Sequence, residues 1–291
     1  MQRRGLVLAG GTGSRLFPMT TAVSKQMLPL YDKPMIYYSL STLLLSDVRH
    51  ILVISTSRDL PMFQDLLGDG SSFGARLEYA EQDRPNGLAE AFLIGEKFLD
   101  GAGSALVLGD NVFYGEGFSD HLINADRRKA GATVFGYPVQ NPRDFGVVTL
   151  DGEGHAVDLD EKPAKPKSNL AVVGLYYHDA RAPRFARGLK PSPRGELEIT
   201  DLNRCYLQRG ELYVERLGRG FAWLDTGTCD SMLDATNFVA TLQRRQGLRI
   251  ACLEEIAFRK SWITKAELLA RADRFKNSEY GAYLLQIAES P

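Results

Sequence analysis

A short apolar run, Leu6-Val7-Leu8-Ala9, stops in three glycines within four positions, Gly10, Gly11 and Gly13, and no other feature of the chain restricts its fold as much. Four consecutive apolar residues read as a buried strand. Glycines lack the Cβ atoms that keep a ligand off the backbone, so several N–H groups, that of Thr12 included, can point into one space and hold phosphate oxygens. A strand ending this way belongs at the carboxyl edge of a parallel sheet, where such sheets bind ligands. Taken alone, the glycines fit a ligand-free strand-to-helix turn equally well. Their spacing does separate them from two commoner loops: Leu16 stands where a dinucleotide fingerprint has its third glycine, and no Gly-Lys-Ser/Thr closes a P-loop.

Further apolar runs follow at 51–54, 105–108, 133–137 and 172–176, and segments with helical spacing lie between the early ones at 35–45, 60–67 and 88–99. This alternation predicts an α/β fold with a Rossmann-like, mixed but mostly parallel central sheet flanked by helices. After about residue 136, Pro142, Pro163 and Pro166 interrupt short strand-like runs at 146–150 and 156–159, which predicts a sheet extension. Segment 183–198, with three prolines, reads as an exposed loop. From Cys229 onward the spacing is helical, at 231–243, 253–259, 265–270 and 278–287, and predicts a C-terminal packing layer. No clean boundary divides the chain, so 1–291 reads as one domain.

Thirty-five Lys and Arg against 36 Asp and Glu give a formal net charge of −1, which supplies no field for nucleic acid or an acidic membrane. No apolar stretch approaches the ~20 residues needed to span a bilayer. The first residues also lack the long apolar core of a signal peptide, so a cytoplasmic protein is expected. Cys205, Cys229 and Cys252 are odd in number and lack Cys-x-x-Cys spacing; they fit a reduced compartment and read as buried small apolar residues. The four histidines form no metal or catalytic spacing and no Gly-x-Ser-x-Gly elbow occurs, so hydrolytic chemistry lacks its parts.

The residues after the glycines carry charge. Arg15 and Lys25 stand close enough in sequence to neutralise a polyphosphate in the cradle, and a lysine can follow charge that develops in a transition state. Asp110 closes the strand-like run at 104–108, and Asp225 sits in Trp-Leu-Asp-Thr-Gly, again after an apolar stretch. Two carboxylates at strand ends suit magnesium, which takes one or two protein carboxylates with phosphate oxygens and water. Gln82, with a donor and an acceptor, fits the edge of a pyrimidine, with Pro85 and Gly87 in the same loop; a polar helix cap is an equal reading of those residues.

The runs Leu8-Ala-Gly-Gly-Thr-Gly-Ser-Arg-Leu-x-Pro18 and Ser24-Lys-Gln-Met-Leu-Pro29 resemble the nucleotide-binding signature of the sugar-phosphate nucleotidylyltransferases. The likeness continues through Asp32 to Ile36, Gln82, Pro85 to Ala89, Gly109-Asp110-Asn111, Glu161-Lys162-Pro163, Gly174 to Tyr176 and Trp223 to Gly227. It is strongest toward members that use dTTP and glucose 1-phosphate. The resemblance implies a nucleotide-binding core at about 1–136, a sugar-phosphate-binding part at about 137–228, and helices for packing and assembly at about 229–291. It implies catalytic roles for Arg15, Lys25 and Lys162, and nucleotide contacts from Gly10, Gly11, Thr12, Gly13, Gln26, Gln82, Pro85, Gly87 and Asp110. Sugar-phosphate contacts would come from Phe145, Gly146, Glu161, Lys162, Val172, Gly174 and Trp223, and Mg2+ would sit on Asp110 and Asp225. Where the family pattern has Tyr-Gly this chain has Phe145-Gly146, without the hydroxyl.

The implied reaction forms dTDP-glucose and pyrophosphate by direct displacement at the α-phosphorus, as the first step of dTDP-rhamnose-type deoxysugar synthesis. The implied assembly is a homotetramer under feedback by dTDP-rhamnose, with Tyr114, Gly115, His121, Arg219, Glu255 and Arg259 as second-site residues. The alternatives are the same chemistry with UTP or CTP, and a catalytically silent nucleotide-sugar sensor.

Overall fold

The computed structural model describes residues 2–290. Its first strands are β1 (Arg4–Leu8), β2 (Pro29–Leu30), β3 (Lys33–Pro34), β4 (His50–Ser55), β5 (Arg76–Glu81), β6 (Ser104–Leu108) and β7 (Asn111–Tyr114). The later ones are β8 (Ala132–Pro138), β9 (Gly146–Leu150), β10 (Ala156–Glu161), β11 (Leu170–His178), β12 (Leu212–Arg216) and β13 (Ala222–Asp225). Strands β6, β1, β4 and β5 lie side by side and all parallel, with Leu6 opposite both Leu52 and Leu106. Antiparallel β11 then joins β6 to the later strands: it pairs with β9, which carries β10, and with β8, which carries β12. The fold is therefore α/β with a parallel core and a mixed extension, as the alternation of apolar runs predicts.

Both faces of the core are buried, which is why these strands read as continuous apolar runs. Successive side chains point to opposite faces. Val7, Ile51, Val53, Ala105 and Val107 meet α1 (Ile36–Leu45) and α2 (Leu60–Leu67). Leu6, Leu8, Leu52, Ile54 and Leu106 form the other layer with α3 (Glu90–Ile94) and α4 (Glu96–Leu99). The first layer also receives α5 (Phe118–Arg127), and the second α6 (Ala182–Arg187) and α7 (Ile199–Leu207). Truncating a fully buried Leu6 to Ala in such a layer costs about 2–5 kcal/mol.

The C-terminal layer comprises α8 (Cys229–Gln246), α9 (Leu253–Arg259), α10 (Lys265–Arg274) and α11 (Glu279–Glu289). Helix α8 starts on a reciprocal cap, with the Ser231 N–H donating to Thr228 Oγ1 at 3.1 Å and the Thr228 N–H to Ser231 Oγ at 2.9 Å; it ends at Gly247, whose φ of 70° suits glycine. Ala235 and Val239 of α8 pack on Leu30, Tyr38 and Val112, while Leu253, Leu268 and Leu284 join the α1 layer.

Three local readings are corrected. The helix expected over 88–99 is broken at Gly95, where a Cβ would stand 2.9 Å from the Ala91 carbonyl oxygen and 3.0 Å from Leu6. The first part of segment 183–198 is helical: Pro183 lies in the first turn of α6, where its missing N–H removes no helical hydrogen bond. Of the three cysteines only Cys252 is buried, Cys205 is half-buried and Cys229 is exposed at the start of α8. Among the described residues no helix is long and apolar enough to cross a membrane.

Candidate active site

The glycine loop leaves β1 at the carboxyl edge of the parallel core. Gly11 and Gly13 have φ values of 99° and 59°, and the Thr20 hydroxyl donates to the Gly13 carbonyl at 2.7 Å, which fixes the turn. The N–H groups of Gly10, Gly11, Thr12, Gly13, Ser14 and Arg15 make no hydrogen bond to any acceptor among the described residues. Backbone N–H groups are normally paired, and a run of consecutive free donors forms an anion cradle, with Gly10 and Thr12 to Arg15 lining one concavity and Gly11 its neighbour. That cradle, with Arg15, Lys25, Gln26, Asp110 and Gly227, encloses about 230 Å³. A second cavity of about 190 Å³ shares Gly10, Gln26 and Asp110 with it and is bounded by Gln82, Pro85, Gly87, Leu8 and Leu108.

Lys25 is buried, and its Nζ lies 2.5 Å from Asp110 Oδ2; Asp110 Oδ1 accepts from Asn111 Nδ2 at 2.9 Å. Gln26 is fixed from both ends, accepting from the Ser24 hydroxyl at 2.7 Å and donating to the Gly10 carbonyl at 3.4 Å. Strand β13 pairs with β7 and places Asp225 opposite Asn111, one residue from Asp110. Burial, and after it the Asp110 charge, raise the Asp225 pKa above the ordinary carboxylate value, while Lys25 and Arg15 pull it down. A Cβ at Gly227 would stand 3.0 Å from Asp225 Oδ2 and 3.3 Å from an Arg15 guanidinium nitrogen, so the glycine lets both groups close in.

Asn111 joins this charged end to the next group. Its Oδ1 accepts from Trp223 Nε1 at 2.6 Å and from the Gly174 N–H at 3.3 Å, and a Cβ at Gly174 would collide with that oxygen at 2.8 Å. The Phe145 ring meets Trp223 edge-on at 5.1 Å, so it packs by its apolar ring, the part it shares with tyrosine. Gly146 pairs with Val172 in the β9–β11 ladder and lies against Glu161 and Thr200; Thr200 Oγ1 donates to Glu161 Oε2 at 2.5 Å. Lys162 is exposed with φ of 44°, a left-handed conformation unusual for a side-chain-bearing residue, held by its N–H on the Phe145 carbonyl at 3.0 Å.

Gly87 owes its glycine to the fold: a Cβ there would lie 2.4 Å from the Leu197 carbonyl oxygen. The segment after α6 crosses at this point, with the Leu197 N–H donating to the Asn86 carbonyl at 2.6 Å and the Ala89 N–H to the Leu197 carbonyl at 3.1 Å. It brings Glu196 to the second cavity and Arg194 to Glu161 at 3.4 Å and Glu198 at 2.9 Å. Arg194, Glu196, Thr200 and Asn111 are absent from the sequence-based site. Only Asn111, beside Asp110, had a local signal.

Of the six second-site candidates, Tyr114, Gly115, Glu255 and Arg259 line one cavity of about 420 Å³ between β7, α5 and α9. Arg259 pairs there with Glu255 at 2.7 Å. His121 and Arg219 are not in its lining: His121 faces Glu215 at 3.0 Å, and Arg219 is exposed in the turn before β13.

A glycine cradle at the end of the first strand of a parallel core, backed by cations and with two carboxylates close by, is the architecture of a nucleotidyl transferase, and the chain belongs to that family: the Nucleotidyl transferase family profile matches residues 4–241. The glucose-1-phosphate thymidylyltransferase of Xanthomonas campestris pv. campestris strain B100 is 55% identical over 288 residues, covering 99% of this chain and 98% of its own. Its counterpart of the same name in Neisseria gonorrhoeae is 56% identical over 284 residues, covering 98% and 99%. A crystal structure from Bacillus anthracis, a candidate glucose-1-phosphate thymidylyltransferase in complex with sucrose, is 36% identical and superimposes with a TM-score of 0.76 over 81% of this chain and 94% of its own.

Proposed function

We propose that the chain transfers a thymidylyl group from dTTP to glucose 1-phosphate. The observation that carries this reading is the run of six unpaired N–H donors at Gly10 to Arg15, flanked by Arg15 and Lys25 and facing Asp110 and Asp225. Those donors would hold the triphosphate, and Gln26, Gln82, Pro85 and Gly87 the nucleoside. Glu161, Gly146, Val172 and Gly174 would hold the sugar, with Trp223 and Phe145 as its apolar wall. Full-length identity above 50% to proteins named glucose-1-phosphate thymidylyltransferase supports the choice of substrates.

In the reaction a phosphate oxygen of glucose 1-phosphate bonds to the α-phosphorus of dTTP as the bond to the β-phosphate oxygen breaks, and pyrophosphate departs on the opposite side. The acceptor is already an anion, so no protein nucleophile or base is needed; the protein aligns two anions and cancels their repulsion. Lys25 and Arg15 stabilise the charge around the α-phosphorus and the leaving group, and Lys162 holds the acceptor phosphate.

Asp110 and Asp225 fit Mg2+. Among the described residues no group of three or more metal-ligating side chains occurs. Two neighbouring carboxylates, one with its pKa raised by burial and then by the charge of the other, match a cation that takes its remaining ligands from phosphate and water. Bound there, Mg2+ would act as a Lewis acid toward the α-phosphate.

The 420 Å³ cavity with Arg259, Glu255, Tyr114 and Gly115 is our candidate for feedback by dTDP-rhamnose, in a cytoplasmic homotetramer. Pyrophosphate release with glucose 1-phosphate and Mg2+, measured separately for dTTP, UTP, CTP, ATP and GTP with the product identified by mass, tests the reaction. Release with dTTP leading is the expected result. A lead for UTP or CTP would overturn the base assignment, and no release with any nucleotide would overturn the reaction.

A further inference from the structure

One side chain of the base-side cavity takes its orientation from a residue outside the cavity lining. Gln82 is buried, and its Nε2 donates to Glu90 Oε2 at 2.7 Å and toward the Gly87 carbonyl at 3.4 Å. The other carboxylate oxygen, Glu90 Oε1, accepts from Asn86 Nδ2 at 2.8 Å. An ionised carboxylate only accepts hydrogen bonds, so the group of Gln82 that faces Glu90 must be its NH2 end. Both N–H bonds of that amide are thereby committed to the protein. Gln82 Oε1 is left on the cavity side, 3.3 Å from where a Gly10 Cβ would stand, and it accepts no hydrogen bond among the described residues.

An unlocked glutamine can turn over and present either end to a ligand. This one presents an oxygen. We propose that Glu90 is a positioning residue for base selection. By holding the Gln82 amide one way round, it makes the cavity take a base that offers a ring N–H at this edge, thymine or uracil, and turn away cytosine, whose ring nitrogen there is an acceptor. With cytosine two lone pairs face each other and neither finds a proton, a mismatch that a buried site penalises heavily. The inference rests on the nucleotide reading above and refines it: Gln82 supplies one acceptor to the base, and a carbonyl of the base must find its donor elsewhere.

The test compares kcat/KM for dTTP and dCTP, with glucose 1-phosphate as acceptor, in the wild type, Glu90→Gln and Glu90→Leu, together with equilibrium binding of both nucleotides. Glutamine at position 90 can offer either an oxygen or an NH2 group, and leucine offers neither, so both free the Gln82 amide to rotate. The wild type should favour dTTP. Both variants should narrow the dTTP-to-dCTP ratio by about tenfold or more, with gain on dCTP contributing to the change. An equal fall for both nucleotides, with the ratio kept in kinetics and in binding, would show Glu90 to be merely structural and overturn the inference; so would a wild type that does not discriminate. A wild type that binds dTTP over dCTP in a Glu90-dependent way but releases no pyrophosphate would support base selection and overturn the proposed reaction.

Discussion

Lys25 Nζ and Asp110 Oδ2 are 2.5 Å apart, and Asp110 lines both the glycine cradle and the cavity bounded by Gln82. Each group has an opposite charge to hold before any nucleotide arrives, and nucleotide with its cation would give each a new partner. Lys25→Ala should lower kcat/KM for dTTP by roughly 10²–10³, the loss typical of a charge-stabilising donor, in a protein that still folds. Steady-state pyrophosphate release checks this, and a value within threefold of wild type would remove Lys25 from the reaction.

Glu161 is held by Thr200 at 2.5 Å and Arg194 at 3.4 Å, against Gly146. Glu161→Gln retains the shape but exchanges an acceptor for a donor, so KM for glucose 1-phosphate should rise about tenfold or more while KM for dTTP changes little. Equal shifts in both constants would place Glu161 outside the sugar site.

Arg259 and Glu255 form one wall of the 420 Å³ cavity. Arg259→Ala should abolish inhibition by dTDP-rhamnose and leave uninhibited turnover near that of wild type. Inhibition curves of the two proteins decide the matter; an unchanged curve would move the feedback site elsewhere.

His178 is completely buried, and burial lowers its pKa from 6.5 to about 4. Its Nε2 donates to Asn203 Oδ1 at 2.8 Å, and its Nδ1 has no partner. Above pH 6.5 the ring is neutral in the folded and unfolded chain alike. As pH falls from 6.5 toward 4 only the unfolded chain takes up the proton, so stability is lost across this window, by roughly 3 kcal/mol at its end. Denaturant titrations at several pH values should show this slope in wild type and a flatter one in His178→Phe; the slope and not the absolute stability is the readout.

Buried Lys33 touches Asp32 at 2.5 Å and Gln243 at 3.3 Å, while Arg249 and Gln243 reach Asp32 Oδ2 at 2.6 and 2.9 Å. The network ties the strand pair β2–β3 to α8. Asp32→Ala would leave the Lys33 ammonium buried without a counter-charge, which costs about 3–5 kcal/mol. Urea unfolding measures it, and a loss below 1 kcal/mol would mean that Gln243 and solvent suffice.

Much of this architecture was legible in the chain because both faces of the parallel core are covered, and residues such as Leu6 to Ala9 need no alternation to be recognised. The cradle and Asp110 were legible for a related reason, since each lies within a few residues of the end of a strand that reads from its apolar run; Lys25 was legible by its closeness in sequence to the cradle and its place in the Ser24-to-Pro29 signature. What depends on distant backbone was not. Arg194 and Thr200 reach Glu161 only because the segment around Leu197 crosses over Gly87, and nothing local to 194–200 announces that crossing. Gly87 shows the same dependence: its missing Cβ makes room for the Leu197 peptide, which no residue near position 87 announces. The orientation of the Gln82 amide depends on Glu90, eight residues on, and only the fold brings them together.

The antiparallel strand between the parallel core and the extension bears on how the chain is made. Until β11 emerges, β6 has a partner on one side only, and its other edge is a row of open backbone groups. A nascent chain released from the ribosome after β8 would carry that sticky edge into the cell, and at ~5–20 residues per second the interval before β11 arrives lasts several seconds. Premature truncation between these strands should therefore yield aggregates, and the sheet's own order makes the first half of the protein depend on a late-arriving strand for its solubility.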